Sequence, residues 1–215
     1  IRPFNDIQEL LSDTLAATYS EDEQCFLLQL SVLDSFTEEQ AAFVTGREDA
    51  ALRLRRLYEH NAFLQLSALN GVYSLHALLR SHLLRVLEEN PLAVCPGLDM
   101  KLLYRRAGEC SLSVGNYLPA LRFFARAGTD TDLLYILQKF EETGGGFFMR
   151  SDPETVRATV ESIPWEIRYL APVGYLGFLH RYAVRVNRAE AGRLLAEAEK
   201  RFLEHAAFSE EDKRV

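Results

Sequence analysis

The sequence predicts a mainly α chain: a winged-helix module, built of helices and one β-hairpin, followed by a tetratricopeptide-like (TPR-like) α-helical repeat region. Three observations predict it. Apolar residues recur at helical spacing through most of the stretches between punctuating residues. Residues 63–75 carry two short β-type runs around Asn70-Gly71, the signature of a tight hairpin. Beyond Pro96-Gly97 a helix–turn–helix pair follows with small residues at its contact positions, the pattern of stacked repeats.

The elements follow in order. Ile7, Leu10, Leu11, Leu15 and Tyr19 share one helical face over residues 6–19, which makes 1–20 a lead-in helix. Ser20 before Glu21-Asp22-Glu23 reads as an N-cap with acidic first-turn residues, which suit the positive end of a helix dipole. Phe26, Leu27, Leu30, Val32 and Leu33 continue that helix, and Asp34-Ser35-Phe36 closes it. Thr37 followed by Gln40 is a capping box, and Gly46 offers a left-handed exit. Ala50, Leu52, Leu54, Leu57 and Tyr58 line a third helix that ends near His60-Asn61. The hairpin pairs Phe63-Leu64-Gln65-Leu66 with Val72-Tyr73-Ser74-Leu75, and a helix from His76 to Glu89 comes straight after it. Three helices, a hairpin and a further helix within about seventy residues form a winged-helix pattern, with the hairpin as the wing; the domain is read as 21–90.

Asn90-Pro91 to Pro96-Gly97 marks a linker, 91–97, and a helical arm is expected over 98–215. Leu102, Leu103, Ala107, Cys110 and Leu112 line its first helix. Gly115-Asn116-Tyr117 turns the chain, and Pro119 sits in the first turn of the next helix, where its missing N–H costs nothing. A further helix is expected over 131–142, with Gly144-Gly145-Gly146 breaking it, and others at about 153–162, 165–183 and 188–206.

Composition narrows the function classes. The chain has 215 residues, 48% hydrophobic and 26% charged, enough to bury a core. A net charge of −7 argues against nucleic acid as the main partner, because such binding rests on a positive field. Cys25, Cys95 and Cys110 are odd in number and widely spaced, so they are read as reduced, buried thiols of a cytoplasmic protein. The apolar run Tyr169 to Leu179 is broken by Pro172 and Gly174 and is too short for a membrane span of ~20 residues. No signal peptide is read at the start, and the missing initiating Met makes the chain an expected fragment of a longer protein.

Catalytic motifs are not found. Gly144 to Gly146 leads into Phe147-Phe148-Met149 and lacks the Gly-Lys-Ser/Thr of a phosphate loop. His60, His76, His82, His180 and His205 show no metal-ligand spacing, and no Gly-x-Ser-x-Gly elbow occurs. The chain is therefore expected to be non-catalytic, with no metal and no cofactor of its own. On the third helix and the turn before it, Arg47, Arg53, Arg55 and Arg56 stand against Glu48, Asp49 and Glu59, a charge excess too small for a DNA reader.

Several phrases resemble one family. Phe26-Leu27-Leu28-Gln29-Leu30-Ser31-Val32-Leu33-Asp34, then Val44 to Ala50, then Leu57 to Leu64, then Tyr73-Ser74-Leu75-His76-Ala77-Leu78-Leu79-Arg80 are similar, in order, to the winged-helix module of MalT-like (LuxR-type, large ATP-binding) transcriptional regulators. Leu103 to Glu109, with Gly115 and Ala120-Leu121-Arg122, resembles the start of their helical repeats, so residues 7–128 are covered. The resemblance implies a regulatory segment of a signal-transduction ATPase that uses ATP and ADP in the full-length protein. It implies an intramolecular ATPase domain as partner, self-association, an inducer at the helical repeats, and DNA contact only through a C-terminal helix-turn-helix outside this chain. It also implies that His76 contacts the phosphate of ADP bound to the ATPase domain. Ala77 stands where many relatives carry a second histidine, and His82 is read as structural. The alternative is a stand-alone helical-repeat scaffold for a protein or peptide, with Tyr104, Tyr117, Phe123, Tyr135 and Trp165 as groove candidates.

Overall fold

Local capping chemistry decides where the helices begin. The structure is a computed structural model and describes residues 2–60, 63–67, 69–128, 130–143, 157, 161, 163–185 and 187–205. α1 spans Arg2–Thr18 and α2 spans Glu21–Leu30. The Ser20 hydroxyl accepts the N–H of Glu23, and the Glu23 carboxylate accepts the Ser20 N–H at 2.9 Å, a complete capping box. Thr37 and Gln40 repeat that exchange at the start of α3 (Glu38–Thr45). Gly46 then takes φ 70°, and its N–H bonds the Ala42 carbonyl, so the helix stops on the one residue type with no Cβ penalty there.

α4 (Ala50–His60) leads into β1 (Leu64–Ser67) and β2 (Val72–Leu75), which pair antiparallel with Leu64 opposite Leu75. The tip turns at Gly71, φ 66°. Phe36 bridges the other side of β2, exchanging backbone hydrogen bonds of 2.9 and 2.8 Å with Tyr73. β2 is therefore the central strand, and the chain leaving α2 supplies a third, one-residue edge. α5 (Ala77–Glu89), the one-turn α6 (Pro91–Val94) and α7 (Met100–Ser113) follow.

The chain divides into two compact units, Ile1–Cys110 and Ser111–Val215. In the first, Phe26, Leu27, Leu28, Leu30, Phe36, Leu54 and Leu79 are fully buried and bring α2, α4, α5 and the Phe36 edge into one core. Arg80 of α5 fastens the exit of α2: its Nε donates to the carbonyls of Ser31 and Leu33 at 3.0 and 3.1 Å, and its Nη2 pairs with Asp34 at 2.7 Å. These carbonyls lie just past the helix end, where no intrahelical donor reaches them. α7 is tied to the winged helix within this unit, since a Cβ on Gly46 would collide with the Arg106 guanidinium.

The second unit holds α8 (Tyr117–Ala127), α9 (Asp130–Thr143), α10 (Trp165–Leu170), α11 (Pro172–Arg185) and α12 (Arg188–Glu204). Its core centres on Phe124, Leu137, Phe140, Tyr175, Phe178, Leu179 and Tyr182. α9 and α11 approach closely at Gly174, where a Cβ would lie 2.5 Å from the Leu137 carbonyl oxygen.

Three expectations need correction. The helix expected over 165–183 is two, α10 and α11, because Ala171 precedes Pro172 and adopts φ −137°, ψ 61°. The proline ring excludes the α conformation from the residue before it. α2 ends at Leu30, so Val32 and Leu33 reach the core from the loop beyond it. The three cysteines are not all thiols: Cys25 and Cys95 form a disulfide with Cα atoms 4.7 Å apart, and Cys110 alone stays out of one. Sequence spacing of 70 residues carries no sign of that proximity, which the packing of α6 against α2 creates. The expected Gly144–Gly146 break and, apart from Arg157 and Glu161, the helix at 153–162 lie outside the described residues.

Candidate functional site

His76 stands at the junction of wing and helix. Its N–H donates to the Phe63 carbonyl at 2.7 Å, which holds the chain as it leaves β2. With φ −55° and ψ 136° it is the N-cap of α5, and its Nδ1 accepts the Leu78 N–H at 3.4 Å. Its ring meets Phe63 edge-on at 6.4 Å. An Nδ1 that accepts requires the proton on Nε2. Among the described residues nothing else bonds this ring, so the Nε2–H is left as a donor. The first turn of α5 thus offers that imidazole donor beside backbone N–H groups at the positive end of a helix, a setting that favours an anion.

The segment around His76 splits into two roles. Tyr73 is buried, donates its hydroxyl hydrogen to Glu38 at 3.3 Å and meets Tyr58 edge-on. Arg80 is bound to the exit of α2 as described. His76 is half-buried and Leu78 is 58% exposed, so these two members remain accessible. His82 is different: it is 2% exposed, and Ser12 of α1 lies 3.5 Å from its Nε2. Burial, with Arg85 nearby, holds its imidazole below the ordinary histidine range.

The arginines of the third helix and its approach are occupied. Arg47 and Arg53 both pair with Asp22 at 2.5 Å, and Arg53 also pairs with Asp49 at 2.6 Å. Arg55 grips Glu38 in a two-pronged pair at 2.9 and 3.0 Å. The hydrogen bond from Arg47, seconded by Arg53, holds the Asp22 carboxyl below its usual range; Arg55 does the same for Glu38. A phosphate arriving at this face would meet arginines already paired with carboxylates of α2, α3 and the turn before α4.

Among the described residues no group of three or more His, Cys, Asp and Glu side chains is placed to hold a metal ion. No helix among them is long and apolar enough to cross a membrane. Of the groove candidates, Tyr104 is buried in the first unit. Tyr117, Phe123 and Trp165 are half-buried in the second, and Tyr135 is 44% exposed. Trp165 belongs to a ring cluster with Tyr169, Tyr175 and Phe202, and the guanidinium of the buried Arg168 lies 4.4 Å from its centroid. Beside that cluster is a cavity of about 620 Å³ lined by Tyr169, Glu197, Lys200, Arg201, Glu204 and His205. The sequence reading missed this cavity; the i, i+3 spacing of Trp165 and Arg168 is the one local sign of the cluster beside it.

Comparison with known families matches residues 12–93 to the MalT winged helix domain. No curated protein matches the chain. The matched span runs from the second half of α1, through the Phe36-edged sheet and the His76 cap, into α6. Fold and family match agree over the same residues: the winged-helix part of this chain is similar to the MalT winged helix domain, which supports a fragment of a MalT-like regulator.

Proposed function

We propose that the chain is a regulatory segment of an ATP-dependent LuxR-type transcriptional regulator and that its winged helix is a latch. In this reading the module docks on an ADP-bound ATPase domain of the same protein and holds it closed. Inducer, sensed by a TPR-like helical arm, and ATP then release it for self-association. The observation that carries the reading is His76: the residue that the family resemblance assigns to ADP phosphate is an N-cap whose Nε2–H is available to an acceptor. The arginine pairing on α4 and the turn before it supports it too, because a face already neutralised by Asp22, Asp49 and Glu38 suits protein docking better than phosphate contact.

The latch supplies a donor to a nucleotide held elsewhere; it catalyses nothing by itself. The isolated chain is therefore expected to bind neither ATP nor ADP at micromolar concentration by calorimetry, and to give no salt-dependent gel shift with DNA. The deciding experiment is ADP retention in the full-length regulator: His76→Ala should speed ADP release and raise basal activity. Unchanged release, or flanking coding sequence with neither a phosphate loop upstream nor a helix-turn-helix downstream, would overturn the proposal. In that case a tight partner unrelated to an ATPase domain would favour the helical scaffold.

A further inference from the structure

The junction where the winged helix hands over to the following helices contains a built sulfur site. Cys25 lies on α2 and is half-buried; Cys95 is the C-cap of α6 and is 3% exposed. Gln29, one turn after Cys25, donates its amide Nε2–H to both sulfurs, at 3.5 Å to Cys25 and 3.7 Å to Cys95. Its Oε1 is buried and has no hydrogen-bond partner while the disulfide is formed. A disulfide offers no hydrogen, whereas a thiol S–H does. Reduction supplies an S–H that Oε1 accepts once the amide turns over, whereas without that flip the Nε2–H faces a thiolate. Gln29 is therefore placed to serve the dithiol as well as the disulfide. Buried polar groups without partners are uncommon enough to need a reason, and a second redox state supplies one.

We propose that Cys25 and Cys95 are a reversible thiol–disulfide exchange site for a low-molecular-weight thiol of the glutathione class, which fastens and releases α6. Cys25 is the entry sulfur because it is the more accessible of the two. The incoming thiolate bonds to the Cys25 sulfur, the S–S bond breaks, and Cys95 leaves as a thiolate beside the Gln29 amide. A second thiolate then attacks the sulfur of the small molecule in the mixed disulfide and expels the Cys25 thiolate. Two small thiols are oxidised to one small disulfide, the protein disulfide is reduced to two thiols, and the protons balance through solvent. The third cysteine is set apart: Cys110 is buried, and burial pushes its thiol up, away from the reactive thiolate.

The consequence is local. α6 has no buried residue of its own among Pro91–Val94, and it rests on α2 and α5. The bond ties the exit of the domain, whose family match ends at residue 93, to the first helix of its core. Once it opens, that single turn loses its covalent hold. The site stands whether or not the winged helix is a nucleotide latch.

The test uses the 215-residue chain in glutathione buffers of graded reduced-to-oxidised ratio, quenched in acid, with reactive thiols counted by mass after maleimide labelling. One thiol in oxidising buffer, three in reducing buffer and full reversibility are expected. Hydrogen exchange of the amides over residues 92–98 should quicken at least tenfold on reduction, and Gln29→Leu should slow opening of the bond several-fold. Three thiols at every ratio would overturn the proposal, as would one thiol at every ratio, or exchange over 92–98 that ignores the redox state. The wild-type chain supplies the thiol count and the hydrogen exchange, so those readouts survive if Gln29→Leu fails to fold.

Discussion

Replacing His76 separates its capping role from any role towards a ligand. In His76→Ala the Leu78 N–H loses its side-chain acceptor and the edge contact with Phe63 disappears. Loss of an N-cap costs about 0.5–2 kcal/mol, and the 3.4 Å bond places this one near the lower end. A half-buried edge-to-face ring contact adds about 0.5–1 kcal/mol. The alanine variant should therefore lose about 1.5 kcal/mol. Asparagine is a strong N-cap but has no ring, so His76→Asn should lose about 0.5–1 kcal/mol. At about 2–4 °C per kcal/mol for a chain of this size, the alanine variant should melt roughly 3–6 °C below wild type. The asparagine variant should lie between them. Circular dichroism melts at pH 7 with parallel urea titrations measure this order. An alanine variant as stable as wild type, or an asparagine variant no better than alanine, would refute the capping geometry. Under the proposed latch both variants lose the imidazole Nε2–H, so both should release ADP faster from the full-length protein although their stabilities differ.

The remaining predictions follow from packing and titration. Gly174→Ala should destabilise by about 1–3 kcal/mol in urea titrations, because the new methyl meets the Leu137 carbonyl. Gly192→Ala, in open space on α12, should stabilise by about 0.5–1 kcal/mol through helix propensity alone. Gly46→Ala should cost about 1 kcal/mol or more, since it combines left-handed strain at φ 70° with displacement of Arg106. His82 is held below its ordinary value of 6.5, so the unfolded chain binds its proton more tightly than the folded one. Its contribution is complete above about pH 6.5 and is lost as pH falls through the folded value. Denaturation midpoints should drop between pH 7 and 5, and the drop should shrink in His82→Gln.

The sequence by itself determined the local elements. Ser20 with Glu23 and Thr37 with Gln40 are complete capping signals within four residues of chain, and Gly46 and Gly71 mark turns that need a positive φ. The wing was legible because Asn-Gly between two β-type runs specifies its own geometry. His76 was legible as a candidate only through a family phrase, since histidine is not a preferred cap. What tertiary structure alone decided lies between elements. Phe36 becomes a strand edge because β2 lies beside it, and Arg80 reaches the end of α2 from 47 to 49 residues away. Asp22 gathers Arg47 and Arg53 on a surface that reads as basic only when α4 is taken alone. Cys25 meets Cys95 because α6 folds onto α2. Caps and turns close over a few residues, so the order of side chains contains them; pairings across seventy residues depend on how buried faces stack, and linear spacing does not carry that information.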